Sequence, residues 1–183
     1  EGGINIPSQN FLVELRNLCN KKNWLLIMDE VQSGMGRTGK WFAYQWAEIE
    51  PDLIPIAKGL GSGIPIGAVI TSKKCSEILG PGSHGSTFGG NPLAMRAGLT
   101  TIETIESDNL LNNAQERGSQ ILNCLSDSIG KYSEIKEIRG KGLMIGIEFN
   151  NDCKSLVKKA LEAGLLINVT ENKIIRLLPP LII

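Results

Sequence analysis

The chain has 183 residues, 42% of them hydrophobic and 21% charged, ordinary proportions for a globular protein. Lys plus Arg and Asp plus Glu number 19 each, so the formal net charge is zero, which argues against nucleic acid or an acidic membrane as the main partner. No apolar run is long enough to span a bilayer and no stretch reads as a secretory signal. The four cysteines, Cys19, Cys75, Cys124 and Cys153, show no CxxC pairing, so they read as buried thiols of a reducing, cytoplasmic compartment.

In chain order, FLVELRNLCNKKN (11–23) has apolar residues at helical spacing, with Ser8 as its expected cap. WLLIMDE follows, and its continuous apolar run predicts a strand buried on both faces, as in a parallel sheet, with Asp29 at its C-terminal end. DLIPIAK (52–58) predicts a second such strand ending on Lys58, and IGAVITS (66–72) a third. This order predicts an α/β layered domain, and ligands of open α/β sheets bind beyond the carboxyl ends of the strands. Asp29 and Lys58 are therefore expected on one edge. Residues 91–129 predict helices broken near Ser107–Asp108, where Ser or Asp can cap. IKEIRGKGLMIGIEF predicts strands about a glycine turn, KSLVKKALEAG a short amphipathic helix ending on Gly164, and LLINV and IIRLLPPLII further strands. Two domains are expected, residues 1–106 and a smaller α+β domain over 107–183. The chain starts at Glu1 without methionine and stops inside LLPPLII, so it is expected to be an internal piece of a longer protein.

Four features carry chemistry. An acid ending an apolar strand is costly unless paired, so Asp29 either caps or pairs structurally, with Arg37 as one partner, or meets a ligand cation such as a pyridinium nitrogen. Lys58 either snorkels or offers a desolvated amine for a Schiff base, and Gly59, Gly61, Gly63 and Gly67 keep side chains out of the way. GSHGSTFGGNP sets Ser86 and Thr87 among glycines before a helix start, which suits a phosphate or simply a flexible loop. His84, the only histidine, has no acidic neighbour and reads as loop structure. Arg176 sits inside an apolar strand, paired to an acid or forked toward a substrate carboxylate. Together, an acid, a lysine, a hydroxyl loop and an arginine describe pyridoxal 5′-phosphate (PLP) and an amino acid. A nucleotide-binding reading fails, since neither a P-loop nor a dinucleotide fingerprint is present.

The motifs MDEVQSGMGRTGKW, IAKGLGSGIPIGA, HGSTFGGNPLA and LLINVTENKIIRLLPPLII, in that order, resemble class III (ornithine-type) PLP-dependent aminotransferases over essentially the whole chain. The resemblance implies PLP fold type I, with 1–106 as the C-terminal half of the PLP-binding large domain on a mostly parallel sheet and 107–183 as an incomplete small domain. It implies that Lys58 joins the cofactor's aldehyde and later moves a proton, and that Asp29 holds the pyridine nitrogen. Val31 would pack on one ring face, Gln32 would lie near the ring 3-oxygen, and Glu30 falls in the same cofactor-binding run. Thr87 would be a phosphate ligand donated by the neighbouring subunit, and Ser86 would lie beside the substrate. Arg176 would bind the α-carboxylate of glutamate or 2-oxoglutarate, and Glu1 would pair with it when no such carboxylate is bound. No metal is implied. The implied assembly is a homodimer or larger homo-oligomer with a shared site. The implied reaction converts N-acetylornithine and 2-oxoglutarate to N-acetylglutamate 5-semialdehyde and glutamate, in arginine biosynthesis. Ornithine, GABA, succinyldiaminopimelate or LysW-linked substrates are alternatives, and a non-catalytic PLP-fold binding protein is the alternative from another class.

Overall fold

Capping chemistry sets the helix boundaries in the computed structural model, which describes residues 2–78 and 80–183. Contacts divide the chain into one unit over Pro7–Leu111 and another over Asn112–Ile183 together with the residues before Pro7.

In the first unit, helix α1 (Gln9–Lys22) starts where the Ser8 Oγ accepts the Phe11 N–H at 3.1 Å. It ends where Asn23 turns left-handed, φ 53°, a conformation asparagine tolerates. Leu12 and Leu15 of α1 pack beside its buried Cys19 against Leu26, Ala47 and Ile49. Strand β1 (Leu53–Ile56) runs antiparallel to β2 (Ala68–Thr71), with Leu53 opposite Thr71. Residues 26–30 lie along the other edge of β1: Ile27 bridges Leu53 in the parallel sense, and the Met28 and Glu30 N–H groups donate to the Leu53 and Pro55 carbonyls at 3.0 Å each. Helix α2 (Pro92–Ser107) begins on Asn91, whose Oδ1 accepts the Ala94 N–H at 2.9 Å, with proline in the first turn where its missing N–H costs nothing.

Two strand expectations change. WLLIMDE is buried on one face only: Leu26 and Glu30 are buried while Trp24, Leu25 and Ile27 are exposed, because nothing among the described residues packs on the second face. β2, read from IGAVITS as a further strand of the parallel kind, returns antiparallel to β1, while residues 26–30 run parallel to β1 on its other edge. The connection, residues 57–67, is too short for a crossover, which needs a dozen residues or more.

In the second unit, α3 (Leu110–Ile129), β3 (Ile135–Lys141), β4 (Met144–Phe149), α4 (Ser155–Glu162), β5 (Asn168–Thr170) and β6 (Ile174–Leu177) follow one another. The sheet order is β3-β4-β6-β5, antiparallel throughout. Ile138, Ile147, Ile175 and Val169 line its core face and meet Leu125 and Ile129 of α3 and Leu156 of α4. Helix and hairpin touch backbone to backbone: a Cβ added at Gly118 of α3 would stand 2.2 Å from the Gly142 carbonyl oxygen. Cys19, Cys75 and Cys153 are buried as expected, but Cys124 on α3 is exposed. Among the described residues no helix is long and apolar enough to cross a membrane.

Asp52, at the entry to β1, is 7% exposed. Its Oδ2 accepts the Leu26 N–H at 2.8 Å and the Arg16 Nη1 at 2.7 Å. Burial pushes its carboxyl up, but the Leu26 N–H and the Arg16 guanidinium outweigh that and hold it below the ordinary carboxylate value. A depressed native pKa means that Asp52 stabilises the fold above its unfolded-state pKa, about 3.9, and that this is lost as pH falls through the lower native value. In acid unfolding of the full-length protein, Asp52→Asn will flatten the stability slope below about pH 4. At neutral pH it will cost about 3–5 kcal/mol, because Arg16 is left buried without its partner. Gly118→Ala, which no side-chain rotation relieves, will cost about 1–3 kcal/mol in urea unfolding.

Candidate active site

The parallel pairing of Ile27 with Leu53 sets Asp29 beside Pro55, so Asp29 and Lys58 emerge at the same end of two adjacent extended segments. Burial alternates along β1, with Ile54 and Ile56 inside, and continued alternation would send Lys58 inward too. It does not, because the strand breaks at Ala57 (φ −163°, ψ −147°) and Lys58 is left-handed, φ 43°. The lysine opens one turn of 3₁₀ helix, Lys58–Gly61, and is exposed. A non-glycine residue in this region costs roughly 1–3 kcal/mol and persists where its surroundings fix it. Leu60 and Gly61 in the same turn are buried, and Gly98 of α2 packs on Leu60.

Asp29 is exposed on the face it shares with Leu25 and Ile27. Its Oδ1 accepts the Val31 N–H at 3.0 Å, which orients the carboxylate and leaves Oδ2 without a hydrogen-bond partner among the described residues. Val31 and Gln32 are half-buried in the turn that follows.

Glu30 departs from the expectation of a cofactor contact. It is 2% exposed, and its carboxylate accepts the Ser33 hydroxyl at 2.6 Å and the Tyr44 N–H at 2.9 Å. Its N–H and C=O are engaged with Pro55 and Gly34. The side chain points opposite to Asp29, as alternation along an extended segment dictates, and ties down the loop from 31 to 47. Phe42 stacks on Tyr44 with ring centroids 5.7 Å apart, and Lys40 lies 4.5 Å over the Trp46 ring in the same loop.

Ser86 and Thr87 lie in an exposed loop turned by Gly82 (φ 83°) and Gly90 (φ 71°), and no side chain would crowd either glycine. Asn91 closes the loop by donating from Nδ2 to the Phe88 carbonyl at 2.9 Å while its Oδ1 caps α2. His84 is exposed in this loop. An exposed acid and an exposed lysine on one edge have the chemistry that the ring nitrogen and aldehyde of PLP require, and a glycine-opened hydroxyl loop has that for a phosphate.

Arg176 belongs to the other unit, half-buried on β6, opposite Gly146 of β4 and Asn168 of β5. Residues 165–168 and 176–179, with Ile121 and Ile183, line an open cavity of about 480 Å³ there. Glu1 lies outside the described residues. The sequence reading missed Arg139 on β3, which shares a row with Arg176 through Gly146. An arginine before a glycine within a predicted strand was the available signal.

A model of the class-III aminotransferase family matches residues 1–183, and the chain belongs to this family. Enzymes of the class are PLP-dependent. The chain is 51% identical to acetylornithine aminotransferase 1 of Bordetella pertussis and 44% identical to ornithine aminotransferase 1 of Staphylococcus aureus, over all of this chain and 47% and 46% of theirs. It spans about half the length of the curated relatives it matches. It superimposes on an ornithine aminotransferase of Toxoplasma gondii, crystallized in the presence of oxidized glutathione, with a TM-score of 0.93 at 39% identity. That match covers 99% of this chain and 44% of the other, and that structure is described with partial occupancy of PLP at the active site.

Glu30→Ala leaves the Tyr44 N–H and the Ser33 hydroxyl without their acceptor. It will lower the stability of the full-length protein by roughly 2–5 kcal/mol in denaturant unfolding. Glu30→Gln, which keeps one acceptor oxygen, will cost less.

Proposed function

We propose that the full-length protein is an aminotransferase that moves the amino group of N-acetylornithine to 2-oxoglutarate through PLP, giving N-acetylglutamate 5-semialdehyde and glutamate. The single observation that carries this is the shared edge of Asp29 and Lys58, an acid and an amine at the ends of adjacent parallel segments. A relative named acetylornithine aminotransferase at 51% identity supports the substrate. The 44% identity to a protein named ornithine aminotransferase makes ornithine the second reading.

PLP, when bound, supplies an aldehyde that takes up the amino group and a ring that draws electrons from the substrate carbon. The Asp29 carboxylate holds a proton on the ring nitrogen by charge pairing. The Lys58 amine would serve as the base that takes the proton from the substrate carbon and gives it back. Val31 would pack on one face of the ring, and Gln32 would lie near its 3-oxygen. The Thr87 hydroxyl, with the backbone amides of its loop, holds the phosphate, reaching in from the neighbouring subunit of a homodimer or larger assembly. Ser86 borders the substrate. The Arg176 fork binds the α-carboxylate of glutamate or 2-oxoglutarate in a bidentate pair. Glu1 covers Arg176 while the ω-amino donor is bound, so that this donor's own α-carboxylate is not captured.

The test is the absorption spectrum of the purified full-length protein during separate additions of N-acetylornithine, ornithine and GABA without a keto acid. Loss of the cofactor's visible band with N-acetylornithine first is the expected result. Preferential loss with ornithine or GABA would replace the donor and keep the reaction class, and a protein without a cofactor band would overturn the reading. Lys58→Ala will reduce turnover by at least about 10²–10⁴-fold, the scale of a lost positioned acid–base group. Its far-UV circular dichroism will stay unchanged, since the side chain is exposed.

A further inference from the structure

The strand registers of the second unit align one row across its sheet. Arg139 of β3, Gly146 of β4, Arg176 of β6 and Asn168 of β5 stand opposite one another in turn. Directly opposed residues share a face. The neighbouring row, Ile138, Ile147, Ile175 and Val169, packs into the core, so alternation puts these four residues on the other face. The two ends of the row differ. Arg139 is committed to the fold: it donates to the Gly3 and Ile4 carbonyls at 2.6 Å and 2.8 Å and pairs with Glu137 and Glu148. Gly146 lies against the same segment, where an added Cβ would stand 3.2 Å from the Ile4 Cβ. Arg176 and Asn168 form the other end, at the β5 edge of the sheet.

These two residues line one open cavity of about 480 Å³, and every other residue that lines it, among the described residues, is apolar, Leu165, Leu166, Leu177 and Leu178 included. A pocket of this kind takes its specificity from the few polar groups that converge on it. The turn between the two strands fixes the pair. Glu171 (φ 50°) and Asn172 (φ 62°) are both left-handed, as a tight hairpin turn requires, and the Lys173 N–H donates to the Thr170 carbonyl at 3.3 Å. Directly opposed Cβ atoms stand about 4.5–5.5 Å apart. Asn168 is exposed, and its side chain makes no hydrogen bond among the described residues. Asparagine is also disfavoured in strands, so neither packing nor propensity accounts for it.

We propose that Asn168 is a specificity-determining residue: its uncharged amide joins Arg176 in holding the α-carboxylate of glutamate or 2-oxoglutarate. This rests on the role given above to Arg176. The arginine supplies charge and a bidentate fork. The Asn168 Nδ2 adds a donor beside it and brings no charge of its own. An acid at this position would pair with the guanidinium and repel the incoming carboxylate. An apolar residue would leave the guanidinium as the cavity's one polar group among the described residues.

The experiment uses the full-length holoenzyme. It compares kcat/KM for glutamate with kcat/KM for the faster of N-acetylornithine and ornithine, in wild type, Asn168→Asp, Asn168→Leu, Asn168→Gln and Arg176→Met. The expected glutamate-to-donor ratio falls roughly tenfold or more in Asn168→Asp and roughly fivefold in Asn168→Leu, mainly through KM for glutamate. Asn168→Gln, which keeps a neutral amide, should stay closer to wild type than Asn168→Leu does. A ratio unmoved by Arg176→Met overturns the role of Arg176 and this proposal with it. A fall with Arg176→Met but with neither Asn168→Asp nor Asn168→Leu overturns the part of Asn168 alone. A fall with Asn168→Asp and none with Asn168→Leu marks mere proximity to the carboxylate, and overturns the amide's part. An equal fall in both kcat/KM values marks plain structural support and also overturns it. Should Asn168→Asp not fold, Asn168→Leu and Asn168→Gln are read by the same ratio, and two unchanged ratios overturn the proposal.

Discussion

Asp52 Oδ2 accepts the Leu26 N–H while the Asp52 N–H donates to the Leu26 carbonyl at 2.8 Å, and Arg16 of α1 closes on the same oxygen. These bonds fasten the start of β1 to the start of the extended segment beside it. From there each residue advances in step: Ile27 meets Leu53, Met28 and Glu30 donate to β1, and Asp29 arrives beside Pro55. A slip of one residue would exchange the two faces. Asp29 would then turn inward and Glu30 outward, and the loop from 31 to 47 would lose its tie. The candidate site thus depends on a salt bridge and a pair of backbone bonds at the far end of the strand from the chemistry.

A second constraint acts at the other end of β1. Strand periodicity alone would bury Lys58 with Ile54 and Ile56, where an ammonium group would be costly. The left-handed backbone at Lys58 removes it from that series, and the glycines that follow let the chain turn back into β2. The glycine-rich stretch therefore serves geometry twice, releasing the lysine from the strand's alternation and allowing the close return that makes β1 and β2 antiparallel.

Much of this was legible in the sequence because it is local. Ser8, Asn91 and the break near Ser107 mark helix ends through capping and backbone preference, which few residues decide. Asp29 and Lys58 could be placed on one edge because the C-terminal ends of parallel segments lie together. Strand direction and burial were less legible. A continuous apolar run such as WLLIMDE reports how many faces are apolar, and says nothing of which face has a covering layer among the described residues. The antiparallel return of β2 was readable from the length of residues 57–67, but only once β1 was known to end at Ile56. Glu30 was misjudged for a different reason. Its neighbours in sequence are the expected cofactor contacts, whereas its partners, Ser33 and Tyr44, are set by the fold of the loop. Arg139 escaped notice because its meaning lies across three strands and in a segment 135 residues away.

Asp52, Asp29 and Glu30 form a comparison internal to one sheet edge. All three are carboxylates on or beside the same two segments. Asp52 and Glu30 are buried, and their oxygens take N–H or hydroxyl donors from the fold itself, so removing them damages stability. Asp29 is exposed, held by one short bond from Val31 that orients it and satisfies one oxygen only. A fold gains little from an acid held in that way, whereas a ligand cation gains an aimed and incompletely satisfied carboxylate. The second unit repeats the pattern for carbonyl acceptors. Arg139 commits its guanidinium to Gly3, Ile4, Glu137 and Glu148, in the same row as Arg176. In both units a charge committed to the fold stands near a residue expected to meet a ligand, Glu30 beside Asp29 and Arg139 in the row of Arg176.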